Sequence, residues 1–281
     1  MGVYWYFRLN SLPSDSHDFI SIKNNEKNML DILKILFCTP FLLYSCYSDI
    51  KTRRVTNKLW LIMLAGGSLF IIYDIWVYGI DYLFRLLIST FLIFIFVYLL
   101  FQIGLFGGAD AKSLIVLSLF FPSYPDFSLF GYDFPLNEPL PLFSNLFAFG
   151  IFENAVLLTI VVPLSLAMYN VSKMGIHIDK PLYAFIGYKT RICELSNKQH
   201  IKMIEGFEII NDKINFYFKR GGSEIDDKVM NELKKMSDKG LILDIWVTPG
   251  LPFMIPITLG FYVSIFYGDL ITELTKYIIF N

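Results

Sequence analysis

Six stretches of the chain are almost wholly apolar: 30–48, 59–78, 82–103, 111–122, 146–169 and 249–268. Polar segments separate them, and the longest, 170–248, lies between the fifth and the sixth. A run of roughly 18 apolar residues is long enough to cross a bilayer as a helix. The fourth stretch is the odd one, because at 1.5 Å per residue it makes only about 17 Å of helix, roughly half a hydrocarbon core. The pattern predicts an all-α polytopic membrane protein with about six transmembrane helices and a small α+β insert before the last.

Inside the insert the period changes. "FEII", "INFYF" and "LILDIWV" read as short strands, and "SEIDDKVMNELKKMSDKG" reads as a helix. Ile225, Val229, Leu233 and Met236 form one apolar stripe on that helix. Ser223 is its candidate cap, Asp226 stands at the capping-box position, and Gly240 after Lys239 is a stop signal. Four segments follow: a polar tail 1–28, transmembrane helices over 29–169, the insert 170–248, and a last helix with its tail over 249–281. The tail lacks the continuous apolar core of a secretory signal. Two readings stand for it: a poorly ordered extension, or a segment upstream of a start at Met29.

Charge sets the sides. Lys51, Arg53, Arg54 and Lys58 crowd the first connection, whereas 123–145 carries Asp126, Asp133 and Glu138 and no Lys or Arg. Lys173 follows the fifth run, and the insert is rich in Lys. Positive loops stay in the cytoplasm, so the first connection and the insert are expected inside, with 123–145 and both termini outside. That holds only if the fourth run crosses. The expected location is a cell membrane, crossed several times.

Composition agrees with the pattern and narrows the chemistry. The 281 residues are 55% hydrophobic and 17% charged, against roughly 25% charged in a soluble domain. Three cysteines form no spaced framework, and the three histidines have no partners at ligand spacing. No metal, no cofactor and no nucleic-acid partner is expected. The expected surroundings are the lipid bilayer and a membrane-inserted substrate.

Two acids remain to be explained. Asp49 ends the first run in "YSCYSDIKTRRVTNKLW", and Asp110 opens the fourth in "GLFGGADAKSL". The topology puts both at the cytoplasmic ends of their helices. Asp110 follows Gly107, Gly108 and Ala109, so it reads either as an ordinary helix cap after a glycine turn or as a functional acid. Asp49 is likewise either a helix-end charge or a functional residue, since ionisable groups at membrane depth mark function. Two carboxylates in one low-dielectric site cannot both ionise, and the pair shares a proton. The ionised member activates water and the protonated member polarises a carbonyl. This is aspartic-protease chemistry.

The two segments carry a resemblance. "SDIKTRRVTNKLW" and "FGGADAKSL", with "NDKINFYF" and "IWVTPGLPFMIPITLGF" toward the C-terminus, resemble the archaeal preflagellin and prepilin peptidases, class III signal peptidases of the GxGD intramembrane aspartyl protease group. The resemblance implies catalytic roles for Asp49 and Asp110 in removing the short basic leader of archaellin or type IV pilin-like precursors at the cytoplasmic membrane face. Ala109 stands where the family pattern has its second glycine, and an ordinary backbone is expected there. Gly107, Gly108, Ala109 and Lys112 support the second motif, with Lys112 an interfacial anchor or an electrostatic neighbour of Asp110. Glu153 and Asn154, inside the fifth run, either face the catalytic cavity or hydrogen-bond a neighbouring helix. The rivals are a presenilin-like protease cutting at depth, a proton-coupled transporter using the two acids as a relay, and an assembly scaffold.

Overall fold

A computed structural model describes residues 14–137, 145–195, 200–210, 213–250 and 252–280. The first thirteen residues of the tail and Glu138 of the acidic segment lie outside them. Helix α1, Ser14–Thr52, begins within the polar tail and continues through the first apolar run. Helix α2, Asn57–Gln102, takes in both the second and the third run. Helix α3 is Gly108–Phe120. A two-stranded antiparallel hairpin, β1 (Phe127–Leu129) and β2 (Tyr132–Phe134), follows. Helices α4 (Phe147–Thr159) and α5 (Val161–Met174) form the fifth apolar element.

Straight, the 46 residues of α2 would measure about 69 Å, twice a hydrocarbon core. Gly79 breaks it, with φ 71° and ψ −156°, a conformation that glycine tolerates and side chains do not. Contacts with α3 show that the two arms run back beside each other. A Cβ on Gly67 would overlap the Phe120 ring, and Ser118 hydrogen-bonds Thr90 at 3.4 Å. Gly67 and Thr90 lie 12 and 11 residues either side of the break, yet both meet the last turn of α3. Asn57 and Phe101, each 22 residues from the break, both meet its first two turns. α3 therefore lies along both arms, from their outer tips toward the bend.

Three helices among the described residues are long and apolar enough to cross a membrane: Glu26–Thr52, Asn57–Gln102 and Phe147–Met174. The last run holds one helix, and a second follows it in the stretch expected as a tail. The chain bends by 64° between Met254–Phe266 and Leu270–Ile279, and the two parts make a fourth candidate span if taken together.

The chain divides into two compact units, residues 1–156 with 253–281, and 157–252. The first is packed with aromatic rings. Phe121 and Phe147 pair at 5.1 Å, Phe147 and Phe261 at 5.8 Å, and Phe96 and Phe152 at 4.9 Å.

The second unit holds α6 (Pro181–Ile186), β3 (Tyr188–Arg191), α7 (Ile192–Leu195), β4 (Ile201–Ile210), β5 (Lys213–Glu224), α8 (Asp227–Asp238) and β6 (Asp244–Pro249). Its four strands form an antiparallel sheet in the order β3-β6-β4-β5. Leu233 on α8 is fully buried against this sheet's core, with Ile225, Val229 and Met236 packed beside it. Asp226, and not Ser223, caps α8: its carboxylate accepts the Val229 N–H at 2.8 Å. Ser223 is unavailable because β5 runs on to Glu224, which pairs with Lys202. The remaining helices, α9 (Met254–Phe266) and α10 (Leu270–Phe280), return to the first unit.

Candidate active site

Asp49 stands one turn before the end of α1. Its Oδ2 accepts the backbone N–H of Met254 at 3.2 Å. Met254 opens α9, so the carboxylate sits at a helix N-terminus, where free N–H groups and the dipole favour negative charge. One turn earlier, Cys46 fastens α1 to the same helix. Its Sγ donates to Met254 O at 3.3 Å and lies 3.1 Å from Thr258 Oγ1.

Asp110 is in the first turn of α3, with only 9% of its surface exposed. Its Oδ2 accepts the Gly107 N–H at 3.2 Å. A Cβ at position 107 would lie 2.6 Å from that oxygen, so a side chain there would displace the carboxylate. Ala109 takes ordinary helical backbone inside α3. The Asp110 carboxyl precedes the apolar part of its helix and is pushed up to about 7, first by burial and then by the Asp49 carboxylate, against the lowering pull of the Gly107 amide. The two acids therefore share one electrostatic neighbourhood although 61 positions separate them.

Two further contacts join the segments that carry them. Lys112 Nζ donates to Asn57 Oδ1 at 2.6 Å, which ties the basic-and-Asn segment to the glycine-Asp segment. The Phe106 and Phe253 rings pack edge to face at 5.3 Å, and these residues immediately precede Gly107 and Met254. Together α1, the start of α2, α3 and the start of α9 converge on the acids.

Glu153 and Asn154 are elsewhere. Asn154 donates to Ser264 Oγ at 2.8 Å and to Gly268 O at 2.9 Å, and accepts from Leu270 N at 3.0 Å. Glu153 faces Asp269. Ser264 is ten residues along α9 from Met254, about 15 Å of helix, so both residues serve the break between α9 and α10 and not the pair of acids.

The sequence reading passes over two features. The Met254 amide has no side-chain signature, so nothing in the pattern points to it. A buried charged network midway along α1 did leave a signal, an Asp inside an apolar run. There Lys34 Nζ bonds Asp74 Oδ2 at 2.5 Å and Asp31 Oδ1 at 3.4 Å, and Tyr82 OH donates to Asp74 at 2.8 Å.

Comparison with known proteins follows the same segments. The model of the type IV leader peptidase family matches residues 36–164, and that of the archaeal peptidase A24 C-terminus, type II, matches residues 179–270. Preflagellin peptidases of Methanococcus voltae and Methanococcus maripaludis are each 29% identical to the chain, over 83% of it and 94% of their own length. That of Methanocaldococcus jannaschii is 25% identical over 81% of the chain and 91% of its own.

Proposed function

Since the chain belongs to the type IV leader peptidase family and is a peptidase, we propose that it removes the basic leader of preflagellin-like precursors by an intramembrane aspartyl mechanism, using Asp49 and Asp110. The observation that carries this reading is the Asp110 carboxyl, buried, raised toward neutrality and sensitive to Asp49. Such a pair is the acid and base that peptide hydrolysis needs.

The surroundings divide the roles. Asp49, at the N-terminus of α9, is the carboxylate that takes a proton from water. Asp110 is the protonated partner that donates to the scissile carbonyl oxygen. Water oxygen bonds to the carbonyl carbon and gives a tetrahedral gem-diol. Asp49 then passes its proton to the departing amine as the C–N bond breaks, and Asp110 recovers its own. Lys112 and Asn57 hold the two segments together, and the Gly107 amide fixes the Asp110 carboxyl within its own.

The proposed topology has six crossings: α1, the two arms of α2, the α3 segment, α4 with α5, and the final bent pair. Support for the α3 crossing comes from its length together with the chain beyond it. Thirteen helical residues give about 20 Å, and residues 121–125 extend further, so that Phe121 reaches the Lys34 ammonium at 5.9 Å. The Lys-rich connection 51–58 and the second unit then face the cytoplasm, with the acids at that surface. The polar tail and the insert 170–248 remain segments of this scheme.

A precursor with a cationic leader and an apolar helix would present its leader junction at this same depth. In reconstituted vesicles the enzyme is expected to cut preflagellin at that junction. It is expected to leave uncut a variant whose cleavage sequence is moved several residues into the apolar helix. Efficient cutting at the deeper position, read by mass spectrometry of the products, would favour a presenilin-like protease instead.

A pH dependence follows from Asp110. Cleavage needs its proton, so kcat/KM is expected to fall above about pH 7, approaching tenfold per pH unit on the alkaline side. Stability moves in the same sense. The folded value lies above the unfolded 3.8, so the protonated fold is favoured at low pH and that contribution is lost as pH rises toward 7. Asp110→Asn should gain in melting temperature relative to wild type between pH 4 and pH 8. A flat kcat/KM through pH 9 would remove the protonated-acid role.

A further inference from the structure

Of the four basic residues in the first connection, Arg53 differs from the rest. Lys51 lies over the Tyr47 ring at 5.6 Å, and Arg54 and Lys58 are exposed. Arg53 is half-buried, and its Nε and Nη1 are shielded and have no hydrogen-bond partner among the described residues. A buried donor left unpaired forfeits its hydration without return, and an unpaired buried group calls for an explanation.

Its backbone is also strained. Arg53 has φ 55°, in the left-handed region that few residues other than glycine enter. The surroundings impose this conformation. Arg53 N donates to Asp49 O at 3.0 Å. Ser48 Oγ and Thr52 Oγ1 both donate to Arg54 O, at 2.7 and 2.9 Å. Strain fixed in this way recurs at ligand-binding positions. Here the fixed turn starts from Asp49 itself.

We propose that Arg53 is a substrate-binding residue, whose free guanidinium donors take main-chain carbonyl oxygens of the precursor's extended segment beside the scissile bond. This rests on the peptidase reading above. The chemistry selects the acceptor. A segment drawn out of a helix for hydrolysis exposes carbonyls, and those that enter the site give up water and are costly to leave without a partner. A cationic leader offers Arg53 no side-chain acceptor, because like charges repel. The guanidinium is a planar fork that holds two acceptors at once, which a lysine ammonium cannot reproduce.

The test is steady-state cleavage of a preflagellin precursor in vesicles by wild type, Arg53→Lys and Arg53→Gly. Lysine keeps the charge and loses the fork, and glycine relieves the positive φ. Both variants are expected to raise KM about tenfold, the weight of about 1.4 kcal/mol of binding, with kcat within about twofold of wild type. Unchanged KM in Arg53→Lys would overturn the proposal, since charge alone would then suffice. So would a KM increase seen in vesicles of anionic lipid and lost in vesicles of neutral lipid, because the acceptor would then be a headgroup phosphate. A wild type that cleaves nothing would overturn the peptidase reading together with this one, whereas an active wild type with indifferent Arg53 variants would overturn this one alone.

Discussion

Replacing either Asp49 or Asp110 by Asn is expected to lower precursor cleavage by about 1,000-fold or more, while the protein still accumulates in the membrane. Asn nearly matches Asp in shape, so packing around each position survives. It carries no exchangeable acid proton and cannot accept one as a base. In Asp110→Asn the amide oxygen would still face the Gly107 N–H, and in Asp49→Asn it would still face the Met254 N–H, so the local folds have no reason to collapse. The two effects should not add, because the acids act as a unit and removing the second takes away nothing further. Rates of leader release from the single and double variants, measured against protein level, decide the matter. Cleavage retained within about tenfold by either single variant would show that the pair is not the catalytic device.

The other large effect lies midway along α1 and concerns stability. Lys34 is 4% exposed and Asp74 1% exposed, and their ion pair is joined by Asp31 and the Tyr82 hydroxyl. Lys34→Met leaves two carboxylates facing each other with no cation between them. Breaking a buried pair on one side costs about 3–5 kcal/mol, because the surviving charge is stranded. The variant's melting temperature in detergent is expected to fall by roughly 10 °C. The triple change Lys34→Met, Asp31→Leu and Asp74→Leu should recover most of that loss, since an apolar replacement of similar volume removes the stranded charges as well. A single variant as stable as wild type would mean that water reaches the network.

Much of this arrangement was legible in the residue pattern, and the failures have physical causes. Apolar runs mark membrane helices because lipid leaves no alternative for the backbone, and the runs before and after Gly79 fall in the two arms of α2. The helix stripe of Val229, Leu233 and Met236 was readable because burial on one face imposes a 3.6-residue period, while Ile225, which precedes the cap, packs on the same core from outside the helix. The cap was misplaced because a preference for Ser at helix starts is local, whereas the pairing of Glu224 with Lys202 is not. β3 and the β1–β2 hairpin strands are three or four residues long, too short to show a period. The last run, 249–268, holds α9, but α10 falls in the stretch read as a tail, because hydropathy does not register the turn at Gly268, where φ is 104°. At the site the acids were visible as chemistry, and the amide that meets Asp49 was not, because every residue but proline has one.

That amide sets a timetable for the ribosome. Asp49 and the Met254 N–H it accepts are 205 residues apart, which at about 5–20 residues per second means some 10–40 s of synthesis. Asp110 emerges earlier in that interval, so a nascent chain carries both acids well before α9 exists to complete the surroundings of the first. A half-made chain therefore holds both acids without the helix terminus that meets Asp49, and it gains that helix only when translation is nearly finished. Chains that stop short of residue 254 lack the amide that meets Asp49.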